Sequence, residues 1–184
     1  MLHRILANDI RQPLSLVMSN QSQPDAGAPT FSTAIADATN YIDWIIAKFT
    51  PYLGGKVLEV GIGHGSYFDR LRQFGPYLGV DIEPELVRQA KARFPEAEFA
   101  IADITAESFK QLVPLASVRS VVCCNVLEHI EDDRDAVANL LGALEPQGNL
   151  LLLVPALGFL YNDLDRLAGH HRRYDKGMMR KVLH

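Results

Sequence analysis

The chain has 184 residues, enough for one domain with a substantial core, and 22% of them are charged, as in an ordinary globular protein. A net charge of -4 gives no reason to expect a nucleic-acid partner, because such proteins usually carry a strongly basic face. The adjacent residues Cys123 and Cys124 would point to opposite faces of a strand, so no disulfide is expected. No apolar run is long enough to span a bilayer. We therefore expect a cytoplasmic protein without a transmembrane segment.

The first part of the chain differs in pattern from the rest. Residues 1–28 mix short apolar runs with a polar stretch, which predicts a flexible N-terminal arm. The folded domain is predicted for residues 29–184. It opens with apolar residues at helical spacing from Ile35 to Phe49, and Pro51 ends that helix.

From Lys56 onward, short apolar runs alternate with segments of helical spacing. Five strands are predicted, at Lys56–Val60, Tyr77–Asp81, Glu98–Asp103, Ser120–Val126 and Gly148–Val154. Helices are predicted between them at Ser66–Phe74, Pro84–Phe94 and Arg134–Leu144. This alternation predicts an α/β fold with a Rossmann-like, doubly wound, mostly parallel sheet covered by helices on both faces.

A glycine-rich turn follows the first strand and contains Gly61, Gly63 and Gly65. Glycine lets the backbone approach a ligand closely, because it has no Cβ. A dinucleotide-binding turn would place its third glycine one residue later, and no lysine follows to cradle a phosphate. Glu59 precedes the turn, where its carboxylate would repel a pyrophosphate and attract an ammonium group. The turn therefore favours a cofactor that carries an amino acid.

Acidic residues end the next two strands. Asp81 lies 20 residues after Gly61, the separation at which an acid meets ribose hydroxyls. Asp103 can accept a hydrogen bond from an adenine amino group, and Ile82 and Ile104 offer apolar faces to the ring. Ligands of doubly wound sheets bind outside the carboxyl ends of the strands. The three strand ends together predict an adenosine site.

Five segments taken together resemble successive motifs of the class I S-adenosylmethionine (SAM)-dependent methyltransferases. They read VLEVGIGHGSYFDRL, GVDIEPELVRQA, FAIAD, VVCCNVLEHIEDD and LEPQGNLLLLVP. The resemblance extends from about Tyr41 to the end of the chain. The NYIDW stretch from Asn40 and the GHHRRY stretch from Gly169 are similar to a bacterial subgroup of uncharacterised methyltransferases, which often accompanies glycosyltransferases.

The resemblance implies methyl transfer from SAM to an oxygen or nitrogen of an acceptor, with a glycan or lipid-linked sugar as one conceivable acceptor. It implies that Glu59 and the glycines hold the methionine part of SAM, that Asp81 binds the ribose, and that Asp103 lies near the adenine. Asn125, at the end of the fourth strand, is also expected at the cofactor. The family fold continues with a further helix and a terminal strand pair, so we expect those C-terminal strands to be missing here.

His129 follows the fourth strand, beside the expected position of the transferred methyl group. An imidazole titrates near neutrality, so His129 can serve as general base for an acceptor hydroxyl. The alternative is that Glu128 and His129 only orient their loop. Asn125 stands where a Glu/His metal cluster would need a further carboxylate, so we predict no metal.

The GHHRRY stretch follows the fifth strand, whose carboxyl end borders the predicted site. It can fold over the acceptor pocket as a mobile lid. We predict that His170 acts there as a base and that Arg173 holds a phosphate or carboxylate of the acceptor bidentately. The alternative is an ordinary solvated basic face.

Two other functions stay open at this point. One is a nicotinamide-dependent oxidoreductase, against which Glu59 and the glycine spacing argue; the other is a SAM-binding module that assists another enzyme without catalysis. The expected partner is a small-molecule, glycan or lipid acceptor rather than a nucleic acid, and a homodimer is left open.

Overall fold

The computed structural model describes residues 38–184, so the predicted arm at residues 1–28 lies outside the described residues. The strands are Val57–Val60 (β1), Tyr77–Asp81 (β2), Glu98–Ile101 (β3), Val118–Cys124 (β4) and Leu144–Leu153 (β5). The α-helices are Thr39–Phe49 (α1), Phe68–Leu71 (α2), Pro84–Arg93 (α3), Glu107–Leu112 (α4), Asp133–Ala143 (α5), Asp163–Leu167 (α6) and Lys176–Val182 (α7). Short 3-10 turns occur at Thr50–Tyr52, Arg72–Phe74, Leu127–His129 and Gly158–Leu160.

The five strands form one sheet in the order β3-β2-β1-β4-β5, and every pair is parallel. The chain runs outward from β1 to β3, then returns to the other side of β1 for β4 and β5. The strand order therefore reverses between β1 and β4, which is where ligands of such sheets bind. The predicted Rossmann-like α/β fold is confirmed. Within the described residues the sheet ends at β5.

Alternate residues of the central strands feed two cores, one on each face of the sheet. Leu58 and Val60 of β1 pack into a cluster with α5, whereas Val57 packs into a second cluster with α1, α2 and α3. Because both faces are covered, β1 and β2 are buried along their whole length. This explains why these strands read as continuous apolar runs rather than as alternating patterns.

The structure differs from the predicted elements in several places. The predicted helix from Ser66 begins only at Phe68, because the chain remains in turn conformation after the glycines. The short helix α4 was not predicted; it has six residues and buries only Phe109, too little for a periodic signal. Strand β5 begins at Leu144, before the predicted Gly148, and its register with β4 is irregular there.

The segment after β5 has an unusual distribution of side chains. Helix α6 buries Asp165 and exposes Leu164 and Leu167, which are 72% and 77% exposed. An isolated amphipathic helix would do the reverse.

The described helices include none that is long and apolar enough to cross a membrane.

Phe68 begins α2 and packs against Tyr77, Phe94 and Phe99 in the second core. We predict that Phe68→Ala lowers the free energy of unfolding by about 3–5 kcal/mol, the range for removing a buried phenyl ring. Phe159→Ala is the matched control, because Phe159 is 81% exposed. Urea denaturation of both variants checks this, and equal losses would contradict the packing described.

Candidate active site

The three glycines after β1 all adopt positive φ angles, of 73°, 50° and 73° in chain order. A Cβ on Gly61 would overlap the side chain of Val126, and one on Gly65 would lie 3.0 Å from Phe94. A Cβ on Gly63 would meet no atom within 4 Å. Gly61 and Gly65 are therefore required by packing, whereas Gly63 borders open space that a ligand can enter.

Asp81 fixes this turn from the end of β2. Its Oδ2 accepts a hydrogen bond from the backbone N–H of Gly63 at 3.0 Å, and its Oδ1 accepts one from the N–H of Glu83 at 3.0 Å. The carboxylate is buried, with 5% of the residue exposed. Each oxygen retains a second lone pair, so Asp81 can still accept from hydroxyl groups.

Glu59 is buried inside β1, next to the glycine turn. The hydroxyl of Tyr77 donates a hydrogen bond to its Oε2 at 2.5 Å, and its Oε1 has no hydrogen-bond partner among the described residues. Burial raises the pKa of Glu59 to about 8; the bond from Tyr77 acts against this rise, and the charge of Asp81 adds to it. A buried carboxylate with one unpaired oxygen suits a cationic partner.

The predicted adenine end of the site is more open. Oδ1 of Asp103 accepts from the N–H and the hydroxyl of Thr105, at 2.8 and 2.7 Å. Ile82 is 66% exposed and presents apolar surface beside the end of β2. Ile104, in contrast, is buried in the core, so Ile82 provides the exposed apolar surface that was expected from both.

The loop after β4 is organised by Asn125, which has a positive φ angle of 54°. Its side-chain amide donates to Oε1 of Glu128 at 3.1 Å, and Oε2 of Glu128 has no partner among the described residues. Glu128 is fully buried, and this burial raises its pKa although the hydrogen bonds act against the rise. Burial and the nearby His170 lower the pKa of His129, which favours a neutral imidazole.

The segment after β5 folds back onto this loop. The N–H of His171 donates to the carbonyl of Glu128 at 2.7 Å, and Ala156 and Tyr174 form a parallel bridge. The rings of His129 and His170 meet edge to face, with centroids 4.7 Å apart. His129 and His170 are 41 residues apart in the sequence, and the fold makes them neighbours.

Asp165 is a site residue that the sequence analysis missed. Its Oδ1 lies 2.9 Å from Nδ1 of His170, and both of its oxygens accept from Nε of Arg173, at 2.8 and 2.9 Å. Burial opposes its ionisation, but these bonds outweigh burial and lower the pKa of Asp165 to about 2. Arg173, predicted to hold the acceptor, is therefore paired with Asp165. The capping-box spacing from Asn162 to Asp165 was the available signal.

Glu128, His129 and His170 bring oxygen and nitrogen atoms within 4.8 Å of one another. Such a group can accept a proton from a bound molecule, and its atoms are also of the types that bind metal ions. The prediction that no metal binds stays a prediction.

Comparison with known proteins identifies the family. A family model for a methyltransferase domain matches residues 58–152, so the chain belongs to that methyltransferase family. An uncharacterized methyltransferase of Mycobacterium tuberculosis is 35% identical over 132 residues, which cover 70% of this chain and 64% of the relative. The chain therefore spans less than two thirds of that relative's length.

Solved structures share the fold. The YcgJ protein of Bacillus subtilis superposes with a TM-score of 0.66 at 22% identity, covering 78% of this chain and 65% of that one. The methyltransferase CalH, whose structure was determined in complex with SAH (S-adenosylhomocysteine), superposes with a TM-score of 0.57 at 20% identity, covering 79% and 50%.

The ionised Asp165 should contribute to stability in a pH-dependent way. Its folded pKa of about 2 lies below the ordinary value, so the contribution is present above about pH 4 and is lost as the pH falls through about 2. We predict that Asp165→Asn lowers the free energy of unfolding by about 1–3 kcal/mol at neutral pH, with the difference vanishing near pH 2. Asp163→Asn, on the same helix but 84% exposed, should have little effect. Denaturant unfolding across this pH range measures both, and a loss for Asp165→Asn that does not depend on pH would contradict the assignment.

Proposed function

We propose that the protein is a SAM-dependent methyltransferase. The observation that carries the proposal is Oε1 of the buried Glu59, which has no hydrogen-bond partner among the described residues and belongs to the residue two positions ahead of the glycine turn, whose Gly63 borders open space. A pyrophosphate placed here would be repelled by the ionised form of Glu59, whereas the ammonium group of a methionyl cofactor would pair with that form and favour it. A nicotinamide dinucleotide is therefore disfavoured.

In this proposal SAM lies along the edge of the sheet that is formed by the carboxyl ends of the strands. Gly61, Gly63 and Gly65 form the turn around the methionyl part, and Asp81 accepts from the ribose hydroxyls. Asp103 and the exposed Ile82 lie towards the adenine, with Ile104 behind them in the core. Asn125 borders the sulfonium end through the loop after β4. The orphaned oxygen of Glu59 and the space at Gly63 are the features that fit the cofactor.

We further propose that His129 and His170 face the acceptor. SAM supplies an electrophilic methyl group, which an acceptor oxygen or nitrogen attacks in line as the carbon–sulfur bond breaks. His170 takes up the proton that the acceptor loses, and Asp165 is hydrogen-bonded to its other ring nitrogen. Arg173 acts with these residues indirectly, because its Nε donates a hydrogen bond to Asp165. Most of the rate enhancement would come from holding the two reactants in position.

We propose a glycan or a lipid-linked sugar as the acceptor class. Support comes from the resemblance of the GHHRRY stretch to methyltransferases that accompany glycosyltransferases. The exposed leucines of α6 lie on the same segment as His170, and they suit an acceptor with an apolar part.

Isothermal titration calorimetry with SAM, SAH and NAD tests the cofactor assignment. Binding of SAM and SAH without NAD is the expected result. Binding of NAD alone would instead support an oxidoreductase, and binding of SAM with no turnover on any acceptor of the proposed class would support a non-catalytic SAM-binding module.

We predict that Gly63→Ala weakens SAM binding at least tenfold (about 1.4 kcal/mol), because the new methyl group enters the cofactor's path. Alanine at a positive φ angle also costs about 1 kcal/mol of stability. Gly169→Ala is the matched control, since Gly169 has a φ angle of 75° and only ordinary contact distance around its Cβ. It should lose similar stability and retain SAM affinity. Normal SAM affinity for Gly63→Ala, measured by calorimetry, would refute the placement of SAM at this turn.

For the acceptor side, we predict that His170→Ala lowers kcat by about 10²–10⁴-fold and leaves SAM affinity unchanged, as expected for loss of a general base. His171→Ala is the control, because His171 is the exposed neighbour and contacts Glu128 only through its backbone. Turnover is measured by SAH production with glycan and lipid-linked sugar acceptors. Equal rates for the two variants would remove His170 from the mechanism.

A further inference from the structure

Tyr77 and Gly79 of β2 form, with Glu59 of β1, an arrangement that holds the Glu59 carboxylate. Glu59 of β1 stands opposite Gly79 of β2 in the parallel register, and Tyr77 lies two residues before Gly79 on the same face. A Cβ on Gly79 would lie 2.7 Å from the Tyr77 hydroxyl oxygen. Because Gly79 has no side chain, the Tyr77 hydroxyl can reach the Glu59 carboxylate.

The Tyr77 ring is held firmly. It packs edge to face against Phe68 and Phe99, with centroid distances of 4.9 and 5.7 Å. With the ring fixed, its hydroxyl can occupy only one of the two Glu59 oxygens, and it bonds to Oε2 at 2.5 Å. Oε1 is buried and is thereby left without a partner in the part of the chain that the structure describes.

We propose that Tyr77 is a positioning residue that makes the site selective for a cofactor with a cationic amino-acid end, by fixing Glu59 so that Oε1 meets the ammonium group. The inference rests on the proposed binding of SAM. It adds a specificity role for a residue that does not itself touch the cofactor.

The groups around Glu59 explain why the bond matters. The titratable side chains facing it are Tyr77 and Asp81 of β2, Tyr67 ahead of α2, and Cys124 of β4. None of these four carries a positive charge. Burial raises the pKa of Glu59 to about 8, and the bond from Tyr77 is the interaction that opposes this rise. An ammonium group would supply the missing positive charge, and Tyr77 reduces the cost of ionising Glu59 for it.

The test compares SAM with adenosine, which lacks the amino-acid end. Tyr77→Phe should weaken SAM about tenfold and leave adenosine binding unchanged in calorimetric titrations. Below about pH 8, where an α-amino group is still protonated, SAM affinity relative to adenosine should rise with pH as Glu59 ionises. In Tyr77→Phe this rise should be smaller, because the variant lacks the bond that lowers the Glu59 pKa.

Tyr174→Phe is the matched control, because Tyr174 is also a buried tyrosine whose hydroxyl lies 2.9 Å from a carboxylate oxygen, that of Asp133. It should lose comparable stability without changing the SAM-to-adenosine ratio or its pH profile. Unchanged ratio and profile in Tyr77→Phe, with SAM bound normally by the parent, would overturn this inference alone. If the parent bound neither SAM nor SAH, the proposed function would fall and the inference with it.

Discussion

The burial of carboxylates at one edge of a parallel sheet is the constraint on which the site depends. Because all five strands run the same way, Glu59, Asp81 and the loop with Glu128 come together at their carboxyl ends. Removing a carboxylate from water costs several kcal/mol unless it is hydrogen-bonded. Each acid here has a donor: a phenol for Glu59, backbone N–H groups for Asp81 and an amide for Glu128. Two of them, Glu59 and Glu128, nevertheless keep a buried oxygen without a partner among residues 38–184, and a ligand could complete the bonding there.

The fold and the approach of Asp81 to the glycine turn could be predicted from the sequence because their signals are local. The glycine turn and Asp81 each follow their own strand directly, and parallel pairing then brings them together without further information. Tyr77 was not recognised, since its bond to Glu59 depends on the register of two strands and on the space above Gly79. Neither the register nor that space can be read from one segment.

Asp165 shows a second limit of local patterns. A hydrophobic pattern alone would turn Leu164 and Leu167 of α6 inward, but the structure buries the carboxylate between them. His170 and Arg173 lie five and eight residues further along the chain, and together with the N–H of Asn162 they satisfy both carboxylate oxygens. Charged hydrogen bonds contribute about 1.5–3 kcal/mol each, enough to compete with burying a leucine. The orientation of α6 thus follows from the polar group rather than from the apolar ones.

The loop after β4 joins the two halves of the proposed site. Val126 occupies the space that a side chain on Gly61 would need, so the loop is packed directly against the glycine turn. Its Glu128 carbonyl accepts the N–H of His171 and so holds the segment that carries His170. Misplacement of reacting groups by about 1 Å can cost 10²-fold in rate, so methyl transfer depends on how the acceptor and the sulfonium are positioned. The contacts from Gly61 through Val126 and Glu128 to His171 would link the proposed cofactor turn to the segment that carries His170. In the proposed reaction, the separation between cofactor and base would depend on this loop and on the bridge between Ala156 and Tyr174 after β5.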